Sequence, residues 1–178
     1  MEKLELVILV GIQASGKTTF YRRHMQGRYL HVSLDNWRGK GNVRGKEHEA
    51  ILAGLRAAAE GGQELGVVVD NTNITAAARK RYFDYAREFA GRTGLALRVL
   101  AYFFDADLQA CLKRNEQRPA EVPAGTPYYV PAAAIRRFHS QLEPPTHQEG
   151  FAEVFRVRIA DDGQFQVERL SRPAGRAP

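Results

Sequence analysis

An apolar run that leads directly into a glycine-rich loop ending in lysine and threonine constrains this chain most. Residues 4–10 (Leu-Glu-Leu-Val-Ile-Leu-Val) are typical of a buried strand, and residues 11–18 read Gly-Ile-Gln-Ala-Ser-Gly-Lys-Thr. That segment matches the pattern G-x-x-x-x-G-K-[ST], and an amphipathic helical stretch follows it. In such a strand–loop–helix unit, backbone N–H groups and the positive end of the helix dipole surround a polyphosphate. The sequence therefore predicts a binding site for a nucleoside triphosphate.

Individual loop residues have distinct predicted roles. Gly11 and Gly16 let the backbone turn its N–H groups inward, and Lys17 can reach the β- and γ-phosphate oxygens. Thr18 can offer its hydroxyl to a bound Mg²⁺. The loop residues predicted to bind the triphosphate are Gly11, Ile12, Gln13, Ala14, Ser15, Gly16, Lys17, Thr18 and Thr19.

Composition is that of an ordinary globular protein, with 44% apolar and 26% charged residues among 178. No apolar run approaches the roughly 20 residues that cross a bilayer, and the chain starts with a strand instead of a signal peptide. The lone Cys111 is expected to be a packed thiol. We therefore expect a cytoplasmic protein without a membrane partner. The net charge of +6 slightly favours a polyanionic partner, although arginine-rich composition from a GC-rich genome would also produce it.

Strand and helix patterns alternate along the chain, which predicts an α/β three-layer sandwich with a five-stranded, mostly parallel sheet. Thr75 is a predicted helix N-cap, and Pro131 fits a first helical position. A single domain is expected over residues 1–170, with a lid at about 106–130 and a disordered tail at 171–178. The predicted strands are residues 4–10, 29–33, 66–70, 96–104 and 151–159. The predicted helices are residues 17–26, 46–60, 75–92, 106–117 and 131–141.

An acidic and a basic residue follow the second predicted strand, at Asp35 and Arg38. Residues just past the carboxyl end of a strand in an open α/β sheet face the ligand crevice. There, Asp35 can accept the proton of an attacking hydroxyl, and Arg38 can bind an acceptor phosphate with two hydrogen bonds. The alternative is that Asp35 caps a short turn and Arg38 is a solvated side chain.

The third predicted strand is apolar and ends in a carboxylate, Asp70. A carboxylate there is costly without a partner, and phosphate-loop enzymes place a magnesium-holding acid at this position. Asp70 and Thr18 are therefore the predicted metal residues. Asn73 can contact the acceptor, hold the turn or cap the following helix.

The fourth predicted helix carries Arg114 and, one turn later, Arg118. An i,i+4 pair lies along one helix face, where a closing lid would bring both guanidinium groups over the donor phosphates. The alternative is a solvated basic face. Pro119 and Pro123 are expected to end the helix and begin a hinge-like loop. Tyr128 and Tyr129 can line an acceptor groove, though anchoring a packed loop is the more common role.

Four elements together resemble the kinase domain of the polynucleotide 5′-hydroxyl kinase family. They are the loop at 11–18, Asp35-Asn36-Trp37-Arg38, Asp70-Asn71-Thr72-Asn73, and the pair Arg114 and Arg118. Residues 130–131, 143–145 and 149–151 also resemble stretches of bacterial P-loop kinases of that type. The resemblance covers about residues 4–158.

That resemblance implies a P-loop NTPase fold and ATP-dependent transfer to the 5′-hydroxyl end of RNA or DNA. It implies Asp35 as the general base, Lys17 and Arg118 as further catalytic residues, and Mg²⁺ with ATP as donor. Arg114 and Arg118 would bind ATP. Arg38, Trp37 and Asn73 would contact the acceptor, with Trp37 stacking on a base unless it is a hydrophobic plug.

Two other functions are compatible with the same core motifs. One is a kinase that phosphorylates a small molecule or a tRNA-borne hydroxyl group, and the other is a nucleotide-dependent switch without an acceptor. Polynucleotide kinases often carry a phosphatase or ligase domain, for which 178 residues leave no room. A separate ligase or phosphatase partner is therefore expected.

Overall fold

A computed structural model describes residues 4–119 and 128–172. Strands and helices alternate along these segments, with two short 3₁₀ helices at Leu34–Trp37 and His147–Glu149. The strands are β1 (Leu4–Val10), β2 (Tyr29–Val32), β3 (Gly66–Asp70), β4 (Leu97–Phe104), β5 (Glu153–Ile159) and β6 (Phe165–Arg169). The α-helices are α1 (Lys17–His24), α2 (Val43–Gly61), α3 (Ala76–Thr93), α4 (Leu108–Glu116) and α5 (Ala132–Ser140).

Within the described residues the sheet has six strands in the order β2-β3-β1-β4-β5-β6, and of these only β6 is antiparallel to its neighbour. The mostly parallel α/β fold is confirmed, but the predicted count of five strands was one too few. Strand β6 is an edge strand whose residues are mostly exposed, so it has no apolar run that would reveal it.

Alternate residues of the central strands pack into two separate cores, one on each face of the sheet. Helices cover both faces, which gives the three predicted layers. Leu6 and Ile8 of β1 pack with residues of α2 and α3 on one face. Val7 and Leu9 pack on the other face with Phe20 of α1. The sheet is therefore buried on both faces, as expected for parallel strands joined by helices.

Helix boundaries follow their caps. The Thr75 hydroxyl accepts the Ala78 N–H at 3.1 Å, which confirms the predicted N-cap of α3. Pro131 is the N-cap of α5 and not its first helical residue, so that prediction was one position early. Helix α2 starts at Val43, three residues before the predicted start, because Asn42 is its N-cap: the Asn42 side-chain oxygen accepts the Gly45 N–H.

Helices α4 and α5 pack on each other above the loop that follows β1. Cys111 and Leu112 of α4 contact Ile135 of α5 and Ile12 of the loop, so Cys111 is the predicted packed thiol. Residues 120–127, including Pro123, and residues 173–178 of the predicted tail lie outside the described residues. Among the described helices, none is long and apolar enough to cross a membrane.

Candidate active site

The loop after β1 lies where the strand order reverses, since β1 is flanked by β3 and β4. Crevices at such switch points are the usual ligand sites of open α/β sheets. The loop is anchored to the segment after β3: the Gly11 N–H donates to the Thr72 carbonyl and Asn73 Nδ2 to the Leu9 carbonyl, both at 2.9 Å. The phosphate loop and the β3 exit therefore form one unit.

Both glycines of the loop motif are required by the geometry. Gly16 caps α1 with φ of 101°, a left-handed conformation that favours glycine. A Cβ on Gly11 would lie 2.8 Å from Ser15 Oγ and 2.9 Å from Phe104 Cβ, closer than packed atoms approach. A side chain at Gly11 would thus push the loop away from β4.

Lys17 is buried and folds back into the loop. Its Nζ donates to the carbonyl oxygens of Gly11 at 2.9 Å and Ile12 at 2.8 Å. Burial lowers the pKa of the Lys17 ammonium to about 8, with the Asp70 carboxylate opposing that shift and the Arg118 guanidinium adding to it. These two carbonyls thus hold the Lys17 ammonium inside the loop, the part of the site where the motif predicts that phosphate binds.

Thr18, His31 and Asp70 meet at one carboxylate oxygen. The Thr18 hydroxyl donates to Asp70 Oδ2 at 2.7 Å, and His31 Nε2 lies 3.1 Å from the same atom. Burial raises the pKa of Asp70, but the His31 and Thr18 hydrogen bonds and the Lys17 charge outweigh it and lower the pKa overall. The carboxylate is therefore ionised and ready to attract a cation.

This donor set fits Mg²⁺. The ion prefers oxygen ligands and usually binds through one or two protein oxygens plus phosphates. Thr18 and Asp70 supply such oxygens, and no group of three or more metal-ligating side chains occurs within residues 4–119 and 128–172. Thr18 and Asp70 would hold the ion, which when bound supplies positive charge beside the donor phosphates.

Asp35 lies just past β2 in the short helix Leu34–Trp37. That helix is capped by Ser33, whose hydroxyl accepts the Asp35 N–H at 3.3 Å, so the Asp35 carboxylate is not the cap. The side chain is 48% exposed and lines the same pocket as Lys17. Partial burial raises the pKa of Asp35, and Arg38, 4.0 Å away, opposes the shift. A carboxylate with a raised pKa is suited to accept a proton.

The two arginines predicted to belong to a lid behave differently. Arg118 lines the pocket but lies beyond the end of α4 at Glu116, so the two arginines do not share one helix face as predicted. Arg114 Nε donates to the Ala110 carbonyl of its own helix, and Arg114 is not among the pocket-lining residues. Burial and the neighbouring Arg114 charge lower the pKa of Arg118, which indicates a concentration of positive charge here.

None of the predicted acceptor residues lines the pocket directly. The Arg38 guanidinium lies 3.7 Å from the centroid of the Tyr128 ring, and Tyr128 is a lining residue, whereas Tyr129 is not. Trp37 packs against the core, which favours its reading as a hydrophobic plug. Asn73 is buried with φ of 48°, and its side chain bonds to Leu9 and Tyr82, which favours holding the turn.

The pocket has a volume of about 380 Å³ and brings together side chains predicted from separate motifs. Gly11 and Ile12 are buried and are not among the lining residues. Predicted residues on its wall are Gln13, Ala14, Ser15, Gly16, Lys17, Thr18, Thr19, Asp35, Asp70 and Arg118. Sequence reasoning gave no role to Arg22, Leu34, Asn71, Thr72, Val130 and Phe138, which also line it. Arg22 could have been found, because it follows Thr18 by one helical turn.

Comparison with known proteins gives a family match and one curated relative. The sequence model of a family described as an AAA domain (AAA_33) matches residues 6–145. The bifunctional polynucleotide phosphatase/kinase of Schizosaccharomyces pombe is 29% identical over 164 residues, which are 88% of this chain and 34% of the relative. The chain thus spans about a third of that protein's length. The resemblance to polynucleotide kinases is confirmed.

Solved structures share the fold at low sequence identity. A fungal RNA kinase superposes with a TM-score of 0.61 and 15% identity, covering 92% of this chain and 79% of that one. A gluconokinase from Sinorhizobium meliloti gives a TM-score of 0.54 and 16% identity, covering 90% and 86%. These similarities confirm the P-loop NTPase-like fold.

Proposed function

The chain belongs to the AAA domain family (AAA_33), and we propose that it is an ATP-dependent kinase acting on the 5′-hydroxyl end of a polynucleotide. The observation that carries this proposal is the convergence of Lys17, Asp35, Asp70 and Arg118 on one pocket. Asp35 lines the pocket with the phosphate loop, and its raised pKa suits it to accept a proton from an attacking hydroxyl. Transfer to an acceptor hydroxyl uses all four side chains.

In the proposed reaction, the acceptor hydroxyl oxygen attacks the γ-phosphorus of ATP. Its proton passes to the Asp35 carboxylate, the bond between the γ-phosphorus and the β,γ-bridging oxygen breaks, and its electron pair leaves with ADP. Lys17 and Arg118 stabilise the negative charge on the transferring group. Arg118 lines the pocket just beyond the end of α4, where its side chain would also take up space otherwise open to water.

A polynucleotide acceptor is supported by charge and by similarity. The chain carries a net charge of +6, and Arg38 stacks on Tyr128 beside the pocket on the Asp35 side. The relative from S. pombe is a polynucleotide phosphatase/kinase by name. That name combines a phosphatase with a kinase, and we propose that a phosphatase or ligase acts on the same nucleic-acid ends as this chain.

Arg38 gives a test of the acceptor site. We expect Arg38→Ala to raise the KM for a 5′-hydroxyl oligonucleotide by about 10- to 100-fold through the loss of a charge-assisted phosphate contact, with the KM for ATP unchanged. Arg158→Ala is the matched control, since Arg158 is an exposed arginine paired with Asp105 outside the pocket lining. Equal increases in both KM values for Arg38→Ala would remove it from the acceptor site.

A small-molecule hydroxyl is the second candidate acceptor. The specific observation in its favour is that neither Arg38 nor Trp37 lines the pocket: Arg38 contacts Tyr128, and Trp37 packs on the core. Within residues 4–119 and 128–172, the two residues predicted to hold a nucleotide chain are thus directed elsewhere. The fold likeness to a gluconokinase admits this reading.

Direct transfer distinguishes the candidates. The protein is incubated with γ-labelled ATP, Mg²⁺ and 5′-hydroxyl RNA or DNA oligonucleotides, with the same oligonucleotides carrying a 5′-phosphate as controls. We expect label at the 5′ end of the hydroxyl forms alone. ATP turnover with label absent from every oligonucleotide would contradict the polynucleotide proposal, and label on sugar alcohols in a parallel screen would establish the second candidate.

A further inference from the structure

A partly buried chain of hydrogen bonds connects the wall of the pocket to the backbone that carries Asp35. Asn71 follows Asp70 directly, and its Oδ1 accepts the backbone N–H of Leu34 at 2.8 Å. Leu34 immediately precedes Asp35. The side chain of Asn71 thus bridges the exits of β3 and β2, the two strands that present the magnesium-side carboxylate and the general base.

The orientation of the Asn71 amide is fixed from behind by Glu47 of α2. Asn71 Nδ2 donates to Glu47 Oε1 at 2.7 Å. The Tyr82 hydroxyl lies 3.0 Å from the same oxygen and 2.8 Å from Asn73 Oδ1, so the two oxygens share its one proton. A carboxylate only accepts hydrogen bonds, so the NH₂ group of Asn71 must face Glu47 and its carbonyl oxygen must face Leu34. Glu47 and the Leu34 N–H therefore fix the same orientation of the amide from its two ends.

Glu47 is held in place even though it is completely buried. Its Oε2 accepts from Arg81 Nε at 3.2 Å and from Arg44 at 3.4 Å. A buried acid of this kind is costly unless each oxygen has a partner, and here Oε1 accepts from Asn71 while Oε2 accepts from Arg81 and Arg44. These hydrogen bonds join α2, α3 and the segments that follow β2 and β3. Capping a single helix would require only residues close together in the sequence.

We propose that Asn71 and Glu47 are positioning residues for the general base, with Glu47 orienting the Asn71 amide and Asn71 holding the Leu34–Asp35 backbone at the pocket. The inference rests on the proposed function, because it needs Asp35 to accept the hydroxyl proton. Asp35 is half-exposed, and its own N–H bond to Ser33 is long at 3.3 Å, so its placement depends on the firmer bond at Leu34. Misplacement of a catalytic group by about 1 Å costs about 10²-fold in rate.

The kinetic test compares Asn71→Leu, Glu47→Leu and Glu47→Gln with the wild type. We expect Asn71→Leu to lower kcat by about 10²-fold with little change in the KM for ATP. Glu47→Leu should lower kcat in the same way, and Glu47→Gln should lose less, because its amide oxygen still accepts from Asn71. Tyr29→Phe is the matched control: it removes the hydrogen bond to Glu5 at the opposite end of the sheet.

Backbone hydrogen exchange at Leu34 tests the positioning without relying on turnover. In Asn71→Leu and Glu47→Leu the Leu34 amide should exchange faster by an order of magnitude or more, while Tyr29→Phe leaves it protected. An unchanged exchange rate of the Leu34 amide in Asn71→Leu would overturn the inference. So would a loss of kcat in Asn71→Leu that is no larger than the loss in Tyr29→Phe, when the two variants have the same drop in Tm. A wild-type protein that phosphorylates no acceptor would instead contradict the proposed function, and the exchange measurement would still decide the positioning.

Discussion

Replacing Asp35 by asparagine is expected to lower kcat for phosphoryl transfer by about 10²–10⁴-fold, the range for loss of a general base. The substitution keeps the shape and polarity of the side chain, and Asp35 is half-exposed, so the fold should be retained. Affinity for ATP should not change, because the predicted phosphate contacts come from Lys17 and the loop. Rapid-quench measurement of transfer and calorimetric titration of ATP check the two parts separately.

Asp105→Asn is the matched control for that substitution. Asp105 follows β4 as Asp35 follows β2, it pairs with Arg158 at 2.7 Å, and it is not among the pocket-lining residues. It should transfer phosphate at the wild-type rate. If Asp35→Asn and Asp105→Asn are equally active, Asp35 is not the base.

The pH profile gives Asp35 a separate signature. Only the ionised carboxylate accepts a proton, and burial raises the pKa of Asp35. In the wild type, kcat/KM should therefore rise by about tenfold per pH unit on the acid side and level off above a pKa higher than that of an ordinary aspartate. Asp35→Asn should lack this acid limb. An identical limb in both proteins would assign it to another group.

Residues in local motifs were the part of the site that the sequence made predictable. The strand before the loop, Gly16, Lys17 and the Asp70 that ends β3 all have a signal within a few residues, either an apolar run or a motif spacing. Their meeting in one pocket also follows from a general rule, because the carboxyl ends of parallel strands share one edge.

Residues whose role depends on distant partners were missed. Asn71 and Glu47 lie 24 positions apart and become partners only when α2 packs on β3, so neither has a local pattern. The same reason explains Arg79, which is fully buried and bonds Glu149 of the later segment at 2.7 and 2.8 Å. Its position in α3 looks like an ordinary charged helix residue until the fold buries it.

Lys17→Met should be the other severe substitution, lowering transfer by about 10²–10³-fold because a charge that stabilises the transferring group is lost. Methionine keeps the length and apolar packing of the buried chain. Unlike Asp35→Asn, this variant should also bind ATP more weakly, since the predicted contact between Lys17 and the phosphates is lost. Lys80→Met is the control, because Lys80 is exposed on α3 and pairs with Asp84. Wild-type ATP affinity in Lys17→Met would contradict a phosphate-binding role.

The lowered pKa of Lys17 makes ATP affinity and stability respond to pH in opposite directions. ATP favours the protonated lysine, so the Kd for ATP should increase above about pH 8 in the wild type and not in Lys17→Met. Between about 8 and the unfolded value of 10.5 the unfolded chain binds more protons than the folded one at this residue, so wild-type stability should rise with pH relative to Lys17→Met. Measurements of Tm and of the Kd for ATP across this pH range check both trends. No other lysine of the described segments has a resolved pKa shift, so a difference between wild type and Lys17→Met that shows both trends assigns the titration to Lys17.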